Sequence, residues 1–122
     1  VTHYLFKAGG ENLSVKNVLK KYLPMTETAF YILLSLSEPR HGYGIIKFVE
    51  ELTGGRIQLG TGTVYGTLAK MQQDKIIRVY ADIERKTIYE ITPAGKELIR
   101  KEIARISMLY ADARKQEAYF YD

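Results

Sequence analysis

The segment Thr61–Asp74, TGTVYGTLAKMQQD, carries the most suggestive chemistry in the chain. Thr61, Thr63, Tyr65 and Thr67 supply hydroxyls, Lys70 supplies a cation, and no carboxylate intervenes before Asp74. Val64, Leu68 and Met71 recur at i, i+4 and i+7, which predicts a helix with one buried stripe and with Thr63, Thr67 and Lys70 on its other side. Hydroxyls and a cation can bond phosphate oxygens and base edges, whereas a carboxylate on the same face would repel DNA. A second basic spot is the run Glu84-Arg85-Lys86, which separates two strand-like stretches, IIRVYADI and TIYEIT. At a hairpin tip, Arg85 and Lys86 can reach a phosphate backbone or a minor groove. Tyr43 stands in HGYG (His41–Gly44), where the free N–H groups of a helix start can hold a phosphate. Each feature also has a plainer use. Threonines are ordinary on helix surfaces, charged turns are usually just solvated, and tyrosines pack a ring while wetting a hydroxyl.

Other chemistries find little support. There is no cysteine, which removes disulfides and thiolate metal sites. His41 has no Glu or Asp partner at ligand spacing, so no metal is expected. With 2 histidines and neither a nucleophile–base set nor a glycine-rich phosphate loop, an enzyme and a bound cofactor are not expected. The 18 basic and 14 acidic residues leave a net charge of +4, which suits phosphate as a partner without being a disordered basic arm. No apolar run reaches the roughly 18 residues of a membrane span, and no secretory signal is visible, so a cytoplasmic protein is expected. The chain begins at Val1 rather than Met, and its opening VTHYLFKAGG is assigned no functional role.

The elements that must position these residues follow from periodicity and breakers. Asn12–Tyr22 suggests a short helix ended by Pro24, since the residue before proline avoids the α region. Thr26 and Glu27 start a second helix, dense in apolar residues from Phe30 to Leu36 and stopped by Pro39. A third runs from Gly42 to Leu52, with Thr53-Gly54-Gly55 as its breaker. Arg56 to Leu59 reads as a short strand. The Thr61 helix and the hairpin come next. Thr92-Pro93 caps a long final helix reaching about Ala118. Along it Ile99, Ile103, Ile106, Tyr110 and Ala113 are spaced 4, 3, 4, 3, a heptad seam. Glu97 and Lys101 are expected to pair outside it. The seam exceeds what a small domain can cover, so a homodimer through this helix is expected; the alternative is packing on the chain's own first helices. Three regions result: a 1–24 extension with a short helix, a 25–92 unit and a 93–122 dimerisation helix. Helix, helix and basic-tipped hairpin make the 25–92 unit a winged helix-turn-helix, mostly α with a small β-hairpin.

The segments LLSLSEPRHGYG, ELTGGRIQL, GTGTVYGTLAKMQQDKII and YEITPAGKEL, in this order and spacing, resemble the PadR family of transcriptional regulators over about Thr26 to Tyr110. The resemblance implies a winged-helix homodimer that binds double-stranded DNA at a palindromic operator and represses transcription. The single long final helix looks like the short PadR subgroup, some members of which bind flat aromatic or drug-like effectors in a pore between the subunits. It also favours the Tyr65 hydroxyl as a phosphate donor. Two departures stand out. The wing stretch ADIERKT lacks the glycine pair often seen there, and the chain has no tryptophan. Where multidrug-binding members line the pore with such an aromatic, this chain has an apolar residue near Ile106. The rival readings are a winged-helix module for protein contact and a small-molecule sensor without direct operator binding.

Overall fold

A computed structural model describes residues 15–122. Helix α1 covers 15–22; its expected start at Asn12, and most of the 1–24 region, lie outside the described residues. Helix α2 (Glu27–Ser35) is capped by Thr26, whose Oγ1 accepts the Ala29 N–H at 3.1 Å. It buries Ile32 and Leu33. It ends short of Pro39, where the Ser35 hydroxyl turns back onto the Ile32 carbonyl and Leu36 leaves the helical region. Helix α3 (Gly42–Leu52) buries Ile45 and Val49. Gly54 and Gly55 then adopt φ of 59° and 82°, a left-handed turn that glycine enters without steric cost.

A strand that periodicity did not announce precedes α3. Strand β1 (Arg40–His41) pairs antiparallel with β3 (Lys86–Ile91), which also pairs with β2 (Ile77–Ile83), giving the sheet order β1-β3-β2. Two residues are too few to show a period. The strand expected over Arg56–Leu59 is absent: this stretch is an irregular connection, and the free edge of β3 is taken by β1. Ile57 and Leu59 still pack on the core, while the Arg56 guanidinium donates to the Tyr31 hydroxyl at 2.7 Å. The register slips between Val79 and Ala81, so Tyr80 is the extra residue of a β-bulge. The turn contains only Glu84 and Arg85, with φ of 51° and 66°; Lys86 already belongs to β3.

Helix α4 (Thr61–Gln73) turns Val64, Leu68 and Met71 into the core beside Ile32, Leu36 and Ile45. Helix α5 (Pro93–Gln116) starts at Thr92, whose Oγ1 accepts the Gly95 N–H, and ends in a 3₁₀ turn, Glu117–Phe120. A side chain at Gly95 would run into the Ile76 carbonyl oxygen, so glycine lets α5 press against the end of α4 and β2. Leu98 completes the core. Glu97 pairs with Arg100, at 3.0 Å, rather than with Lys101: one turn away, the long guanidinium reaches the carboxylate first. Among the described residues no helix is long and apolar enough to cross a membrane. The architecture is a winged helix-turn-helix with a long final helix.

Candidate nucleic-acid interface

With Val64, Leu68 and Met71 buried, the 3.6-residue period puts Gly62, Gly66, Ala69 and Gln73 on the crest of α4, pointing straight out. Thr63 and Thr67 lie down one flank, Thr67 half-buried, with exposed Lys70 between that flank and the crest. Thr61 is exposed at the helix start. Tyr65 lies down the opposite flank. The sequence pattern pointed to the threonine flank and passed over the crest, although its i, i+4, i+7, i+11 spacing is as regular as that of the buried stripe.

On the Tyr65 flank, a hollow of about 360 Å³ is lined by His41, Tyr43, Tyr65, Arg85, Lys86, Thr87 and Tyr89. The structure thus gathers Tyr43, Tyr65 and the wing residues Arg85 and Lys86, which are far apart in sequence, around one site. Tyr43 and Tyr65 remain 67% and 51% exposed. Gly42 makes the arrangement possible, because a Cβ there would lie 2.6 Å from the Tyr65 ring. His41 caps α3: its Nδ1 accepts the Gly44 N–H at 3.0 Å. Burial, then the nearby Tyr65 and Asp82, pushes the Tyr89 hydroxyl above its ordinary range. His41, Thr87 and Tyr89 escaped the sequence reading. Tyr89 enters through its pairing opposite Arg40, which leaves no trace in either segment alone.

On the other flank, Thr63, Thr67 and Lys70 face a groove of about 470 Å³ whose far wall is the α1–α2 junction, including Lys21, Tyr22 and Pro24. The wall is held by Asp74, the C-cap of α4, which accepts from Lys21 Nζ at 2.8 Å and from the Tyr22 hydroxyl at 2.7 Å. Burial pushes the Asp74 carboxyl up. The bonds from Lys21 and Tyr22, with the charges of Lys21 and Lys70, outweigh that and hold it below the usual carboxylate range. Burial, then the bond to Asp74, raises the Tyr22 hydroxyl well above its ordinary value. The two groups are therefore a fixed donor and a fixed acceptor at neutral pH.

The seam residues of α5 divide. Ile99 packs on the core. Ile106 borders a hollow with Met25, Phe30 and Tyr31, floored by Glu102 and Arg105. Ile103 is 46% and Tyr110 63% exposed, and Ala113 is exposed too. Met108 and Leu109 are likewise uncovered, so within one chain the distal half of α5 leaves an apolar surface in water.

Comparison with known proteins agrees with this architecture. A curated relative, an uncharacterized 37.1 kDa protein in transposon TN4556 of Streptomyces fradiae, is 33% identical over 96 residues. The match takes in 75% of this chain, which spans only 27% of that relative's length. A transcriptional regulator from Clostridium thermocellum superposes with a TM-score of 0.64 at 24% identity, covering 72% of this chain and 87% of its own. A PadR family transcription regulator from Clostridium difficile also reaches 0.64, at 20% identity, covering 74% and 97%. These likenesses show the shared fold. The sequence model of the Transcriptional regulator PadR-like family matches residues 32–101, from the core of α2 through α4 and the hairpin into α5. On that match, over more than half its length, the chain belongs to the PadR-like family of transcriptional regulators.

Proposed function

We propose that this regulator acts as a homodimeric repressor on a palindromic operator, and that a small aromatic or drug-like effector releases it. One observation carries the DNA part: α4 presents a crest and flanks without a carboxylate from Thr61 to Gln73, and Tyr43, Arg85 and Lys86 converge beside it. In this reading α4 enters the major groove. Thr61, Thr63 and Thr67 bond base edges or phosphates, and Lys70, Tyr43 and Tyr65 hold the backbone. Arg85 and Lys86 follow the strand into the neighbouring minor groove. Threonine hydroxyls discriminate bases weakly, so phosphates supply much of the affinity, with a steep salt dependence.

The uncovered apolar face of α5 supports the dimer. Ile103, Ile106, Tyr110 and Ala113 of one chain meet the same residues of its partner, with Ile99, packed on its own chain's core, at the inner end of the seam, and the two α4 helices sit roughly 34–36 Å apart, one turn of DNA. The hollow bounded by Phe30, Tyr31 and Ile106 lies along that face and offers rings and an aliphatic wall to a flat effector. An effector that favours a dimer with a different α4 spacing would lower operator affinity.

Fluorescence anisotropy on pooled genomic fragments, including DNA upstream of the protein's own gene, tests the reading at two salt concentrations. Wild type should select a palindromic fragment, bind it less tightly at high salt, and lose it on combined Thr63→Ala and Lys70→Ala substitution while remaining dimeric. Undiminished binding by the double variant would remove those residues from the interface. The absence of any selective binding would overturn the operator reading in favour of a protein-contact role.

A further inference from the structure

We propose that α1 forms a second arm of the DNA interface: the groove between the α1–α2 junction and α4 seats a phosphodiester strand, with Lys21 contacting it. The inference rests on the DNA-binding reading above and extends it to a region that neither the helix-turn-helix nor the wing includes.

A helix lying in a major groove has a sugar–phosphate strand on each side of it. The wing and Tyr43 stand beside one flank of α4. On the other flank the walls carry cations at Lys21 and Lys70 and hydroxyls at Thr63, Thr67 and Thr26, and among the described residues no carboxylate lines the groove. Its α4 wall includes Gly62 and Gly66, where even a Cβ would meet nothing within 4 Å, so a strand can approach the helix backbone closely.

Lys21 is fixed in place rather than free to wander. Its ammonium bonds Asp74 at 2.8 Å, yet the side chain stays 48% exposed. An ammonium has three N–H donors and Asp74 engages one, leaving the others to the groove. Lys21, Lys70 and Asp74 together keep a net positive charge, so the nearby carboxylate orients the lysine without cancelling the attraction. The bond from the Tyr22 hydroxyl to Asp74 holds α1 at the correct distance.

Each neutralised phosphate contributes about 0.9 to the slope of log affinity against log salt, so a fourfold rise in salt weakens each such contact about 3.5-fold. Anisotropy titrations of wild type, Lys21→Ala and Lys21→Arg on the selected operator fragment, at 50 and 200 mM salt, read this directly. Lys21→Ala should lose about 3.5-fold less affinity than wild type across that range, and Lys21→Arg should restore the wild-type slope. Thermal melting followed by circular dichroism should show all three equally folded. Ethylation interference should reveal a backbone phosphate, on the flank away from the wing, that matters to wild type and not to Lys21→Ala. If wild type binds the fragment but Lys21→Ala keeps its slope and ethylation pattern, α1 is no arm of the interface and the main reading stands. If wild type binds no fragment, both fall.

Discussion

Replacing Glu102 should loosen α5 from the winged domain, and the cost can be worked from its surroundings. Glu102 is 1% exposed. Its Oε1 accepts Arg105 Nε at 2.6 Å; its Oε2 accepts Arg105 Nη2 at 2.8 Å and the Met25 N–H at 3.2 Å. A carboxylate this buried is tolerated because it is fully paired. In Glu102→Ala the Met25 N–H loses its acceptor, which costs about 1–3 kcal/mol for a buried donor. The Arg105 side chain is 36% exposed and can rehydrate, so the larger penalty of a wholly buried broken pair does not apply. A net loss of about 2 kcal/mol is expected, or roughly 8 °C in Tm for a chain of this size. Glu102→Gln keeps an acceptor for Met25 and should lose less. The bonds from Arg105 outweigh burial, and with the Met25 N–H they hold the Glu102 carboxyl below its ordinary 4.5. Its ionic contribution is therefore complete above that value and fades as pH falls through the lower, folded one; the protonated carboxyl still offers Met25 an oxygen, so the gap between wild type and Glu102→Ala should narrow in acid without closing. Urea unfolding at pH 7 and along an acid series, at constant protein concentration, measures this. A loss below about 0.5 kcal/mol at pH 7, or a difference that persists unchanged into acid, would refute the reasoning.

Gly42→Ala should leave stability within about 0.5 kcal/mol, because alanine suits a helix and the obstructing Tyr65 ring end is free to swing out. Moving that ring should cost operator affinity about tenfold by anisotropy, roughly one hydrogen bond to a charged group; unchanged affinity would take Tyr65 out of the interface. Combined Glu84→Asn and Arg85→Gly substitution suits the two positive-φ turn positions and should raise stability by about 1 kcal/mol. The same change should weaken DNA binding through the lost Arg85 charge, and a wing that binds as well without it would be a bystander. Ile103→Glu puts a charge into the exposed α5 seam and should shift the protein to monomer in sedimentation equilibrium, with operator affinity falling alongside. A dimer that persists at micromolar concentration would place the contact elsewhere.

Much of the architecture is legible along the chain because it is written in local periods. Val64, Leu68 and Met71 announce α4, Thr26 and Thr92-Pro93 mark helix starts, and Gly54-Gly55 marks a stop, each through the sterics of a few adjacent residues. The candidate site was legible in part for the same reason: a carboxylate-free hydroxyl face can be seen from Thr61 to Asp74. Its crest at Gly62, Gly66 and Ala69 is easily passed over, since small side chains carry no chemistry of their own.

The residues alone settle the succession of helices and hairpin and the buried stripe of α4, through nearest neighbours and the periods of helix and strand, while the family shows in the order and spacing of four motifs. Tertiary structure alone decided that Arg40–His41 joins the sheet in place of Arg56–Leu59, that Tyr43 and Tyr65 meet Arg85 and Lys86, and that Asp74 draws Lys21 and Tyr22 against α4. It also decided that Glu102 is buried against Met25, a contact 77 residues apart. Such contacts depend on which surfaces meet once the core has closed, and a charged residue looks the same in sequence whether it ends in water or on a partner.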